Sequence, residues 1–250
     1  MGCQCSVSSN AHELEEEEVL LSLCESSLGY SPHEASKVWT DIRILTLNES
    51  LNWNRMRKLA QDWALEMPQP EEQEDPVAQF YRGLRRAEGW EARRVGVLAV
   101  MLGKGGRQEK AEMLFGMYDC EYNKALGRTD VELMVADLCD LALKQLPALA
   151  IGVLEGQGNL DGGVLLQNYT TKLHEACLPA SQAVLAQLLP PPTQQLSLYA
   201  FQDKVDQGGL HFLVSASDLR KEALKRYKAK LREEAKHKGR SALQTSGESM

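Results

Sequence analysis

The strongest constraint on this chain is a helical periodicity broken by loops of about a dozen residues. Trp53, Met56, Leu59, Ala60, Trp63 and Met67 recur at spacings of three and four, which places them on one helix face. Ser31-Pro32 opens a segment that runs through Val38, Trp39 and Ile42. Further helices are predicted near 77–87, 92–103, 107–118, 129–145, 163–176 and 179–189, with a short one near 197–206 and a long one from about 217. Strict alternation and β-branched runs are scarce, and aromatics are only 6% while Leu, Ala and Glu are plentiful. The expected fold class is therefore all-α. With 250 residues, the chain is long enough to bury a substantial core.

Two loops carry the most informative pattern. An amphipathic helix over 109–118 runs into Asp119 to Asp130, and a second helix leaves from Val131. Within this loop Asp119, Glu121, Asn123 and Asp130 set oxygen side chains at positions 1, 3, 5 and 12, and Leu126 is apolar at position 8. The segment Gln157 to Asn168 follows at an offset of 38 residues. It sets Gln157, Asn159, Asp161 and Asn168 at the same positions, with Gly162 at position 6 and Val164 at position 8. In this frame the chain resembles the EF-hand superfamily, and its start, Met1-Gly2-Cys3-Gln4-Cys5-Ser6, an N-myristoylation pattern, makes it look most like the neuronal calcium sensor and calcineurin-B-like branch. The resemblance implies helix-loop-helix pairs joined by a short two-strand contact between Leu126 and Val164. It also implies that the position 7 carbonyls of Ala125 and Gly163 would complete two calcium sites. Upstream, Gly83 to Arg94 (with Trp90 at position 8) and Asp41 to Asn52 have the spacing of further remnant loops, without a usable oxygen set.

Both main loops depart from the binding pattern. Position 6 calls for a backbone with φ > 0, where glycine is at ease, yet the first loop has Lys124 there. Asp130 is one methylene shorter than the bidentate Glu of position 12, and the second loop offers Asp161 as its lone carboxylate. The expectation is a helix-loop-helix pair kept as a scaffold, with no cofactor or with calcium at most.

The chain begins Met1-Gly2-Cys3-Gln4-Cys5-Ser6, the acceptor pattern for N-myristoylation of Gly2. One acyl chain holds a protein only marginally, and S-palmitoylation of Cys3 or Cys5 would supply the second signal. Glu13 and Glu15 to Glu18 then read as a solvated, acidic helix opening. At the other end, 218–240 holds ten Lys/Arg against four Asp/Glu. Leu219, Ala223, Leu224, Tyr227 and Leu231 form a narrow apolar stripe there. Lys221, Lys225, Arg226, Lys228, Lys230 and Arg232 become candidates for contact with an anionic leaflet or a partner groove; folding back on the acidic body is a third reading.

The resulting organisation is a lipidated N-terminus at 1–12, a helical region at 13–67 and a Pro-punctuated linker at 68–76. An EF-hand-like domain at 77–189, a spacer at 190–216, a basic helix at 217–240 and a disordered tail at 241–250 complete it. The longest apolar runs, Val97 to Leu102 and Leu146 to Leu154, are far shorter than the roughly 18 residues of a membrane span, and no secretory h-region follows the start. The six cysteines lack C-x-x-C spacing and read as reduced thiols; the five histidines lack zinc spacing. No phosphate-loop, dinucleotide or nucleophile-elbow motif occurs, and a net charge of -7 disfavours nucleic acid. The expected function is a non-enzymatic adaptor on the cytoplasmic face of a membrane, with a cytosolic pool. It would hold a partner helix in an apolar groove. A calcium sensor built on the first loop and an unrelated all-helical adaptor are the rivals.

Overall fold

The computed structural model describes residues 9–46, 49–67, 75–86 and 89–247. Gly2, Cys3, Cys5 and most of the 68–76 linker lie outside the described residues. The chain is mostly helical. The N-terminal half holds α1 (Ser9–Ser26), α2 (Ala35–Leu45), α3 (Trp53–Trp63), α4 (Pro76–Gly83) and α5 (Ala92–Leu102). The C-terminal half holds α6 (Arg107–Gly116), α7 (Arg128–Asp140), α8 (Leu146–Gly156), α9 (Leu160–Leu188), α10 (Leu198–Asp206) and α11 (Ala216–Gly247). One apolar core runs without a break from Leu21 to Leu224. The helix face read from Trp53 to Met67 packs inward, with Met56, Leu59 and Ala60 buried.

Short antiparallel strands join loops in pairs. β1 (Ser50–Leu51) and β2 (Arg85–Arg86) flank β3 (Gly89–Glu91), with Leu51 opposite Trp90. β4 (Ala125–Gly127) pairs with β5 (Gln195–Ser197), with Leu126 opposite Leu196. Each contact sits one or two residues before a helix, where a cap can satisfy free N–H groups. Asn52 accepts from the N–H of Arg55 at 3.1 Å to start α3, and Ser197 accepts from that of Ala200 at 3.2 Å to start α10.

This pairing corrects the expected contact of Leu126 with Val164. Residues 160–168 are the first turns of α9, and Val164 faces solvent there. Asn159 caps that helix by accepting from the N–H of Gly162 at 3.0 Å. Leu166, Tyr169, Thr170 and Leu173 are buried on one face of α9, so a helix buries more here than a loop would. The helix also continues through Pro179, where a break was expected, because Ala176, Ala180, Val184 and Leu188 keep one buried face across it. Between α7 and α8 the chain stays helical through a π turn at Leu141–Gln145, just ahead of Pro147. Proline has no N–H to give, and the wider turn absorbs the mismatch.

The ends of the chain meet in the core. Arg220 of α11 is fully buried. It donates to both oxygens of Glu18, from Nε at 2.9 Å and Nη2 at 3.0 Å, and from Nη1 to Glu25 at 2.6 Å. The Tyr169 hydroxyl of α9 also donates to Glu18. Glu17 and Glu18 are therefore buried, and the acidic run is not simply a solvated helix opening. Burial works to raise the Glu18 pKa, but the Arg220 charge and the hydrogen bonds outweigh it and hold it below the usual range. For Glu25 burial prevails over Arg220, and the neighbouring Glu18 charge adds to it, so its pKa is raised. One cation cannot fully compensate two carboxylates.

Two outcomes are expected in urea denaturation. Arg220→Ala leaves two buried carboxylates without their cation and costs about 3–5 kcal/mol. Glu25→Gln has a pH signature. A raised carboxyl pKa means that wild-type stability falls as pH climbs from the ordinary value near 4.5 through the raised one. The variant should gain on wild type as pH rises above the ordinary value of 4.5 through the raised one; a pH-independent difference would contradict the assignment.

Candidate functional site

The first loop keeps the turn that its pattern demands. Lys124 adopts φ 60° and Tyr122 φ 54°, so two side chains occupy the left-handed region. The buried Asp119 holds this turn. Its Oδ1 accepts from the N–H of Asn123 at 3.2 Å and its Oδ2 from that of Lys124 at 2.8 Å. Asn123 accepts from the N–H of Ala125 at 2.9 Å while its amide donates to Glu121 at 2.9 Å. Asp130 accepts from the N–H of Gly127 at 3.0 Å and closes the start of α7. The oxygens that would ligate a cation are thus turned onto the loop's own backbone and side chains. Among the described residues no group of three or more His, Cys, Asp or Glu side chains is arranged to hold a metal ion.

The second set does not converge at all. Gln157, Asn159 and Asp161 are exposed around the cap of α9; Gly163 is buried in its first turns, and Asn168 is exposed further along.

Beside the first loop lies an open cleft of about 670 Å³ between α2, α5 and α6. Trp39, Ala92, Met113, Met117 and Tyr122 give it apolar walls. Methionine suits such a surface because its unbranched side chain adapts to different shapes. Gly96 of α5 lets the Trp39 ring approach; a Cβ there would lie 2.6 Å from it. Polar groups around the cleft comprise Glu49, Glu91, Glu109, Glu112 and Asp119 against Arg43 and Arg93. Arg93 is held from behind. It pairs with Glu91, lies 3.4 Å from Asp137 and stacks over the Tyr118 ring at 4.9 Å. The Tyr118 hydroxyl donates to Asp137 at 2.8 Å. Arg94 pairs with Asp140 and also lies 3.7 Å from Asp137. Burial raises the Asp137 pKa, and Tyr118, Arg93 and Arg94 offset only part of that. This network fixes α5 against α7 and so fixes one wall of the cleft.

The basic positions of α11 separate into two groups. Arg226 is committed to the body: it donates to Glu222 at 2.8 Å and to Gln187 at 3.2 Å, and stacks over Phe212 at 5.2 Å. Lys228 is half-buried. Lys221, Lys225, Lys230 and Arg232 are exposed, although Lys225 reaches Glu222 at 3.3 Å and Lys230 reaches Glu234 at 3.8 Å. The folding-back reading is met at Arg220, which sequence reasoning did not single out. Its signal was present. Positions 220, 223, 224 and 227 share one helical face, and a charge on an apolar face needs a buried partner.

No protein-family model, curated protein or solved structure matches this chain.

Two substitutions separate the loop's role as a scaffold from a metal role. Asp119→Ala removes two backbone hydrogen bonds and should cost about 1–3 kcal/mol without added calcium. Lys124→Gly relieves the left-handed turn and should stabilise the chain by about 1 kcal/mol. Urea midpoints in chelator check both; an Asp119→Ala cost that appears only with calcium present would contradict the scaffold role.

Proposed function

We propose that this chain is a non-enzymatic, EF-hand-like adaptor. Acylation of Gly2 and of Cys3 or Cys5 tethers it to the cytoplasmic face of a membrane, and the cleft between α2, α5 and α6 receives a helix of a partner protein. The observation that carries the reading is the cleft itself: an open, apolar, Met-lined groove with a charged rim, beside a loop whose oxygens are already satisfied. Helix-in-groove recognition uses this kind of surface. Support for the EF-hand-like architecture comes from the loop contacts. Leu51 with Trp90, and Leu126 with Leu196, each join two loops just before an exit helix. In that frame Leu196 takes the place first given to Val164.

Among the described residues no helix is long and apolar enough to cross a membrane, so membrane attachment would be peripheral. Lipid on the N-terminus provides it, and the exposed cations of α11 can add to it.

The tether is tested by fractionating cells that express the full chain. Gly2→Ala should move most of the protein to the soluble fraction; undiminished membrane retention would contradict the tether. The groove is tested with Nile red, a neutral dye that brightens in apolar surroundings. Met113→Glu should reduce the bound-dye signal severalfold with the melting temperature within a few degrees of wild type; unchanged dye binding would contradict the groove.

A further inference from the structure

After Lys228, α11 leaves the body. Every side chain from Ala229 to Ala235 is exposed, and the helix continues to Gly247. That segment is about 28 Å long. Residues 229–235 have no covering surface within the described chain. It carries Lys230, Arg232, Lys236, Lys238 and Arg240 against Glu233 and Glu234, and Leu231, 44% exposed, continues the apolar stripe. A surface that complements it is apolar at the centre and acidic around it.

The cleft has that character. Trp39, Met113 and Met117 form apolar walls, and five carboxylates face two guanidinium groups around it. Glu49, Glu109 and Glu112 give the cleft its exposed acid, and Lys230 and Arg232 give the projecting helix its exposed base. The helix is anchored at its base by Arg220 and contains no proline, so it cannot bend back sharply to the cleft of its own chain.

We infer that the projecting half of α11 docks in the acidic cleft of a second copy of this chain. This rests on the reading of the cleft as a helix-binding groove and names the helix. The contact is heterologous, joining two different patches. It gives a reciprocal dimer or a small ring where the geometry closes, and a chain of copies where it does not. Its charged rim makes it weaken with salt.

Sedimentation velocity of the full, unacylated chain tests this, with Nile red binding measured in the same samples. The expected result is a sedimentation coefficient that rises with concentration in about 50 mM salt and much less in about 500 mM salt. Glu109→Lys with Glu112→Lys should weaken association about tenfold, as should Lys230→Glu with Arg232→Glu, and combining all four should restore it. A chain that stays monomeric at every concentration overturns the inference. If its dye signal still falls with Met113→Glu, the groove reading survives and another helix occupies the cleft; if not, the groove reading fails as well. Monomeric chain that binds phosphatidylserine vesicles, and loses that binding with Lys230→Glu and Arg232→Glu, assigns the projecting helix to the membrane and likewise overturns the inference.

Discussion

The fold depends on a single buried guanidinium. Arg220 sits on the inward face of α11, between Leu219 and Ala223, where a charge without partners could not be held. It is tolerated because Glu18 and Glu25 of α1 each accept hydrogen bonds from it, while the Tyr169 hydroxyl of α9 donates to Glu18 and steadies that carboxylate. Such a group adds little net stability compared with apolar packing, but it is costly to break and it specifies one arrangement. Three helices that lie far apart in sequence are thereby fixed in a single register. The direction in which the rest of α11 leaves the body follows from that anchor.

The cleft is the second consequence of fixed registers. Short strand contacts at Leu51 with Trp90 and at Leu126 with Leu196 set where α3, α5, α7 and α10 begin. The Arg93, Tyr118 and Asp137 network then holds α5 against α7. Between these supports α2, α5 and α6 meet around an open cleft lined by Trp39, Met113 and Met117. Trp39 and Met113 are half-buried at the cleft, and walls held in fixed registers suit recognition of a preformed helix at low reorganisation cost.

Much of the helical layout was legible from periodicity alone, because a buried face recurs every three or four residues. The face at Trp53, Met56, Leu59 and Ala60 is one case, and the apolar stripe at the base of α11 is another. The second loop was misread for a physical reason. The polar residues from Gln157 to Asn168 satisfy a loop template, but Leu166, Tyr169 and Leu173 satisfy a helical one, and burial decides between them. The true partner strand was hidden because Gln195-Leu196-Ser197 follows Pro190-Pro191-Pro192 with no oxygen pattern; only the capping Ser197 marks it. The cleft was not legible either. Trp39 and Met113 lie 74 positions apart, and only the tertiary fold brings them to one surface. Predicted helix ends erred where a local rule met a longer buried face, as at Pro179.

On the proposed function, this chain acts through its cleft and not through a calcium-responsive loop. Titration calorimetry of calcium into the full chain, with magnesium as the control, tests it most directly. The account predicts no saturable heat up to millimolar calcium, because Asp119, Asn123 and Asp130 already serve the loop's backbone. Saturable binding of about one ion per chain at micromolar calcium would contradict it and make the first loop a sensor.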